Sequence, residues 1–410
     1  MSSVPLSRNR DFHVFWAGQA LSGLGDAFAT VAAPLLVLQA TGSVARMGRF
    51  TATVSVAYVL SGLVAGSIVD RVDRRRLMVA CDLGRAVVFA AVPLLWWLRG
   101  PSYHALLLAA AVCAFLGNIF QVAAITAVAN LVPREQLLAA NGRMHGAYAA
   151  MFFVGPMLAG EVCQRLGAVA GIAVDALSFV LSAISLLLVR ARFARPAGHP
   201  SAGPVADFTL GLRFLWRVPV LRATAGLLAL SALLMGGREN LIIFHVKREL
   251  HRDDRAVGHV FAVAALGALA AAAASSSLRA RFGFASCWIG AGLLMGAAVT
   301  LLGHTRDLPT LAMLTACVGF AESIRGINTM TLRQEITPDA LLGRVTAAFW
   351  TVLTFPAAVG AALNGRLAER WGVAPTLAGL GLAMVALMIA ATRTPITTPP
   401  PPRESLTDAV

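Results

Sequence analysis

Long apolar runs separated by short polar loops occupy nearly the whole chain. They fall at 12–38, 47–69, 77–98, 104–131, 139–162, 168–189, 221–246, 256–278, 282–302, 308–332, 340–363 and 373–391. A hydrocarbon core about 30 Å thick needs roughly 20 apolar residues of helix to cross it. The runs meet that length and are continuously apolar, which disfavours the alternating ten-residue strands of a membrane barrel. Only helices or closed barrels satisfy backbone groups in lipid, so the pattern predicts an all-α membrane bundle of twelve transmembrane helices.

Composition agrees: 58% of residues are hydrophobic and 13% charged, with mean hydropathy +0.73. That is about half the charge density of a soluble domain. A net charge of +14 would suit nucleic acid if it sat in one domain, but the arginines lie in short loops between spans. Membrane orientation explains them better, so no nucleic-acid partner is expected. With the N-terminus inside, Arg8, Arg10, Arg71, Arg74 to Arg76, Arg134, Arg190, Arg192, Arg195, Arg213, Arg217, Arg279 and Arg281 face the cytoplasm. The positive-inside rule then predicts that both termini are cytoplasmic, although the outer loop with Lys247, Arg248, Arg252 and Arg255 runs against it. The first run contains Asp26 and is too long for the apolar core of a cleavable signal, so it reads as a retained first helix. The cysteines show no metal-ligand spacing and read as packing residues, and no metal or cofactor is expected.

Sliding the chain by half its length aligns Phe115 with Phe320, Thr126 with Thr331, Pro133 with Pro338, Leu137 with Leu342, Gly155 with Gly360, Gly160 with Gly365, Arg165 with Arg370 and Gly167 with Gly372. Matched Pro, Gly and Arg without a gap point to a duplicated six-helix half, the arrangement in which a substrate site lies between repeats near the midplane. The expected organisation is a first half at 1–189, a cytoplasmic linker at 190–219, a second half at 220–393 and a disordered Pro-rich tail at 394–410. The linker is rich in Pro and Gly. Phe208, Leu212 and Leu215 then share a helical face, which predicts a short interfacial helix.

Several motifs carry chemistry. Between the second and third runs stands Gly66-Ser-Ile-Val-Asp70-Arg71-Val-Asp73-Arg74-Arg75-Arg76. Gly66 permits close helix approach, Asp70 can accept from a helix N-terminus or pair with an arginine, and the cationic run faces anionic lipid. Asp26 lies halfway along the first span, with Gln19, Ser22 and Thr30 on its face. A carboxylate there costs on the order of 3 kcal/mol, which a partner, water or function has to offset. Further polar residues at membrane depth are Asn118 and Gln121, then Arg238, Glu239 and Asn240, then Glu322, Arg325 and Asn328. Glu322 and Arg325 stand at i, i+3, the spacing of a structural ion pair. Desolvation favours a protonated acid and a nearby arginine favours the carboxylate. Asp26 is thus the first expected proton carrier, with Glu239 and Glu322 behind it. Phe15, Trp16, Phe28, Phe120 and Phe244 are expected to supply aromatic wall. Asp82 and Arg85 sit one turn apart near the inner end of the third span and are expected to anchor an inner gate, and Asp175 reads as structural.

The Gly66–Arg76 loop resembles the G-x-x-x-D-R-x-x-R-R signature of major facilitator superfamily transporters, with Asp73 where a glycine is common. The resemblance implies that Asp70 and Arg71 act in gating and that spans one, four, seven and ten line a central cavity. Gly142, Gly155, Pro156 and Gly160 resemble the glycine-proline motif of facilitator antiporters, with Met151 and Ala159 at usual glycine positions. The strings 175–179, 133–141 and 211–222 look like the branch that includes enterobactin and macrolide exporters. What the resemblance implies is an exporter of an amphiphilic or hydrophobic small molecule, proton-coupled and working as a monomer. Nutrient or siderophore import, and a non-transporting sensor or assembly factor, are the rival readings. Lys247 is the only lysine and lies in no glycine-rich loop, so the chain holds no phosphate cradle of the G-x-x-x-x-G-K-[ST] kind. Neither H-E-x-x-H nor G-x-S-x-G occurs, and an enzyme is not expected.

Overall fold

A computed structural model describes residues 6–133, 136–191 and 204–398. Among them lie thirteen α-helices: α1 (Arg10–Thr41), α2 (Val44–Arg71), α3 (Arg74–Arg99), α4 (Tyr103–Leu131), α5 (Leu137–Leu166), α6 (Ala168–Leu188), α7 (Pro204–Arg217), α8 (Pro219–Met235), α9 (Arg238–Phe244), α10 (Asp254–Leu302), α11 (Leu308–Ile336), α12 (Asp339–Trp371) and α13 (Val373–Ala391). Ten candidate spans have the length and hydropathy to cross a membrane. One of these is the 49-residue α10, which is interrupted at Gly283 (φ 75°, ψ 173°) and so supplies two crossings. With the 28-residue α2 the count reaches twelve.

Caps in the sequence set the ends. Asn9 accepts from the Phe12 N–H at 3.0 Å to start α1, Asp307 accepts from Thr310 at 2.8 Å to start α11, and Ser102 opens α4. Each satisfies one of the orphan donors of a first turn. Asp73 accepts from the Arg76 N–H at 2.9 Å, so the departure from glycine at this position gives α3 an N-cap. Gly167 and Gly372, the last pair of the internal repeat, close α5 and α12 at φ 84° and 91°. That left-handed geometry favours glycine.

The chain folds into two compact units. Unit 1 comprises Met1–Gly42, Val56–Ser201 and Asp253–Ala262, and unit 2 comprises Ser43–Ser55, Ala202–Arg252 and Val263–Val410. In unit 1, α1 packs chiefly against α6 and α5, and α3 against α6 and α4. In unit 2, α12 packs chiefly against α8 and α7. The apolar side of α7 turns onto protein, with Phe214 and Leu215 buried and Gly211 meeting the backbone at Arg344.

The repeat recurs as matched helix approaches. In unit 1 a side chain added at Gly160 would meet the Gly258 Cα at 3.0 Å; in unit 2 one added at Gly365 would meet the Gly48 Cα at 3.2 Å. Beside the first, Gln164 accepts from the Asp254 N–H at 3.1 Å. Beside the second, Glu369 accepts from the Ser43 hydroxyl. Gln164 and Glu369 are themselves repeat partners, so the duplication preserves both the small-residue contact and the polar clasp next to it. Small residues of this kind let helix backbones approach where lipid supplies no hydrophobic drive.

Two expectations are corrected. The run at 221–246 is not one helix: it breaks at Gly236-Gly237 into α8 and α9 and ends in a π-helical turn, His245–Glu249. The tail expected to be disordered from Thr394 begins with a 3₁₀ turn, Pro395–Thr397, whose Ile396 is buried; residues 399–410 lie outside the described residues, as do 192–203 of the linker.

Candidate functional site

The break between α8 and α9 has a local cause. Gly237 adopts φ 73°, and Gly236 lies so close to α12 that an added Cβ would stand 2.3 Å from the Ala357 carbonyl. Carbonyls freed at a helix break inside a bilayer need another donor. Asn364 of α12 supplies it, donating to Leu234 O at 2.9 Å and Gly236 O at 2.9 Å. The restart of the chain then presents three consecutive polar residues. Arg238 donates to Glu239 at 2.6 Å and to Glu322 of α11 at 2.9 Å. Asn240 donates to Met47 O at 3.2 Å and to the Thr51 hydroxyl at 2.7 Å.

Charge is distributed unevenly within this cluster. The Arg238 side chain is 8% exposed, whereas Glu239 and Glu322 are 51% and 63% exposed. One buried guanidinium therefore holds two carboxylates at the edge of the packing. Arg325 is buried beside it, donating to Ser231 at 2.8 Å and lying 4.2 Å from the ring centre of Trp288. The Trp288 indole N–H in turn donates to Thr329 at 3.0 Å. The expected Glu322–Arg325 pair is thus replaced by Glu322–Arg238. Helical spacing allowed the first, but Arg325 is turned toward the Trp288 face and its hydroxyl partner.

Unit 1 carries a second cluster around Arg85. Its guanidinium donates to Asp26 at 2.7 Å and lies 3.7 Å from Asp82. It also stacks 3.7 Å over the Phe179 ring, and Asp175 is one of its charged neighbours. Arg85 is 8% exposed and Asp82 fully buried, while Asp26 is 54% exposed. The midspan burial expected of Asp26 is therefore corrected: a buried arginine holds it at the surface of the packing. Arg85 keeps its one-turn neighbour Asp82 at 3.7 Å and in addition reaches across to Asp26 of α1.

The remaining predicted residues are dispersed. Gln19 is buried and donates to Ser182 at 3.4 Å; Asn118 is buried and donates to Tyr58 O at 3.1 Å; Gln121 is exposed. Phe15, Phe28 and Phe120 are buried in helix packing, which corrects the wall expected of them, and the Trp16 indole donates to Arg143 O. In the inner loop Arg71 is exposed, Arg74 buried, and Arg75 donates to Leu187 O. The Asp70 side chain and the surroundings of Gly66 lie outside what the structure describes. Along α5, Gly142 meets nothing, Gly155 abuts Ala27, and Gly160 abuts Gly258; Pro156 lies within the helix, buried.

Asn364, Phe179 and Trp288 were not singled out by sequence, and Asp175 was read as structural. Only Phe179 had a signal: the spacing Asp175-Ala-Leu-Ser-Phe179 sets the carboxylate and ring one helical turn apart.

Residues 2–402 match the family model described as transmembrane secretion effector. The multidrug efflux pump Tap of Mycobacterium tuberculosis is 28% identical over 385 residues, covering 92% of this chain and 91% of that protein. The enterobactin exporter EntS of Citrobacter koseri is 25% identical over 371 residues, 88% of this chain and 86% of that one. Macrolide efflux protein A of Streptococcus pyogenes is 23% identical over 384 residues, 88% and 90%. Among solved structures, the nucleoside transporter NupG superposes with TM-score 0.74 at 10% identity, covering 94% of this chain and 98% of that one. A bacterial homologue of the iron transporter ferroportin gives TM-score 0.72 at 14% identity, covering 93% and 98%. The chain belongs to the transmembrane secretion effector family within the major facilitator superfamily and is a multi-pass membrane protein.

Proposed function

We propose that this family member exports an amphiphilic or hydrophobic small molecule from the cell, exchanging it for protons by alternating access, with both termini cytoplasmic. The observation that carries the reading is the pair of clusters in which buried guanidiniums, Arg85 and Arg238, hold half-exposed carboxylates, Asp26, Glu239 and Glu322. A carboxylate at membrane depth is too costly to leave facing lipid, so these edges meet water or cargo. The broken helix α8–α9 supports the reading, because transporters use discontinuous helices to bring polar groups to midplane sites. The names of the full-length relatives, a multidrug efflux pump, a siderophore exporter and a macrolide efflux protein, set the direction and the cargo class.

Alternating access needs helix pairs that separate cleanly. The Gly160–Gly258 and Gly48–Gly365 contacts fit that need: each joins a helix of the first sequence half to one of the second through backbone contact rather than interlocked side chains. The motif loop around Asp70 and Arg71 is assigned to the inner gate on family resemblance. The test is ethidium accumulation in bacterial cells stripped of their own exporters. Expression should lower steady-state dye, and a protonophore should abolish the difference. Raised accumulation would favour import.

A further inference from the structure

Unit 1 holds a charge imbalance that the export reading does not use. Four ionisable groups meet where α1, α3 and α6 pack: Asp26, Asp82, Arg85 and Asp175, three acids for one base. Asp26 has the close contact to Arg85. Asp82 is 0% exposed and Asp175 1%. Among the described residues, the Asp82 oxygens and the Oδ2 of Asp175 make no hydrogen bond of normal length; the Ser182 hydroxyl faces Asp82 and Arg85 stands 3.7 Å from it. The Oδ1 of Asp175 accepts from Ser178 at 3.2 Å. Gly25 of α1 lies against that oxygen, at a separation where a Cβ would stand 2.5 Å away. Among the described residues no second cation faces the pair: the groups facing Asp82 are Cys81, Ser182, Arg85 and Asp26. Those facing Asp175 are Asp26, Arg85, Ser178, Asp82 and, from α4, the Cys113 thiol. Tyr148 of α5 faces Asp26.

A single guanidinium that already holds Asp26 cannot also balance two carboxylates kept out of water. Uncompensated buried charge costs several kcal/mol per ion, and the group relieves it by taking up a proton. Asp26 is the acid that water can reach and that Arg85 already holds, so it has the least need of one. We propose that the buried pair Asp82 and Asp175 is the proton-binding site of this protein and that Asp26 is not. Arg85 lies between the two settings, against Asp26 and near Asp82, so loss of the proton increases the pull on Arg85 from the buried side and loosens its hold on Asp26. The carrier role in transport rests on the proton-driven reading above, whereas the proton site itself does not.

Infrared spectroscopy of the purified full-length protein in lipid, titrated across neutral pH in H₂O and D₂O, reads the C=O stretch of a protonated carboxylic acid directly. Wild type should show such a band with Asp frequency and deuterium shift, D26N should retain it, and D82N and D175N should lose it. D82E and D175E guard against misfolding of the Asn variants. At least one of them should move the band rather than remove it. A wild type without the band, a band that survives in D82N/D175N, a band lost only in D26N, or a band unmoved by both Glu variants would each overturn the assignment. Gradient-driven ethidium flux by the same wild-type preparation is measured alongside. A band without flux leaves the proton site standing and removes only its role in export.

Discussion

Replacing Arg85 by Gln removes the one cation shared by Asp26, Asp82 and Asp175 and leaves two of those acids buried. The guanidinium contributes a 2.7 Å contact to Asp26, a 3.7 Å approach to Asp82 and a stack 3.7 Å over Phe179. Breaking a buried pair by deleting one partner costs about 3–5 kcal/mol, and a desolvated cation–π contact contributes about 2 kcal/mol. These overlap in one side chain, so about 3–5 kcal/mol is the expected loss for Arg85→Gln. Arg165→Gln is the control, because its 2.5 Å pair with Glu161 is 71% exposed on the arginine side and such pairs contribute at most about 1 kcal/mol. Reversible unfolding in mixed micelles with increasing anionic detergent compares them. Protonated carboxyls need no partner, so the Arg85→Gln deficit should shrink as pH falls and grow as it rises. Adding Asp175→Asn to Arg85→Gln should recover part of it. An Arg85→Gln protein within about 1 kcal/mol of wild type at neutral pH would refute the claim that Arg85 compensates buried carboxylate charge in this cluster.

Further outcomes follow from other contacts. Asn364→Ala leaves the Leu234 and Gly236 carbonyls without their donor and should cost about 1–3 kcal/mol, with hydrogen exchange rising at the α8–α9 break; unchanged exchange there would deny Asn364 its capping role. Gly160→Val meets backbone at 3.0 Å in Gly258, so overpacking of about 1–3 kcal/mol should appear as lower stability and slower export. Asp307 caps α11 through Thr310, and those hydrogen bonds hold its carboxyl below the ordinary value. Its contribution should be present at neutral pH and lost as pH falls through that depressed value. Asp307→Asn, still a cap but not titratable, should flatten this acid-side loss in a thermal-shift series.

The crossings were legible because lipid demands long apolar helices, and the duplicated half was legible because its Gly, Pro and Arg positions recur without gaps. The break at Gly236-Gly237 was not, since the pair sits in a run whose hydropathy continues past it. What decides the break is the close approach of α12 and a donor from Asn364, more than a hundred residues away in sequence. The same limit governs the ion pairs. Spacing proposed Glu322 with Arg325 and Asp82 with Arg85, because only contacts within one helix can be read from periodicity. The structure gives Glu322 to Arg238, and it keeps Asp82 3.7 Å from Arg85 while adding the shorter Arg85–Asp26 contact, which like Glu322–Arg238 runs between helices. Asp26 was recognisable as a costly residue, but its exposed edge depends on which side of α1 the neighbouring helices leave uncovered.

Uphill flux tests the central claim most directly. The purified protein is reconstituted into liposomes with an acidic interior, and ethidium or radiolabelled erythromycin is added outside, where molecules with an outward cytoplasmic face can take it up. Proton-driven export predicts accumulation of at least one of the two above its equilibrium level, lost on adding a protonophore and absent from protein-free vesicles. Equal internal and external concentrations of both, unchanged by the pH gradient, would contradict the account.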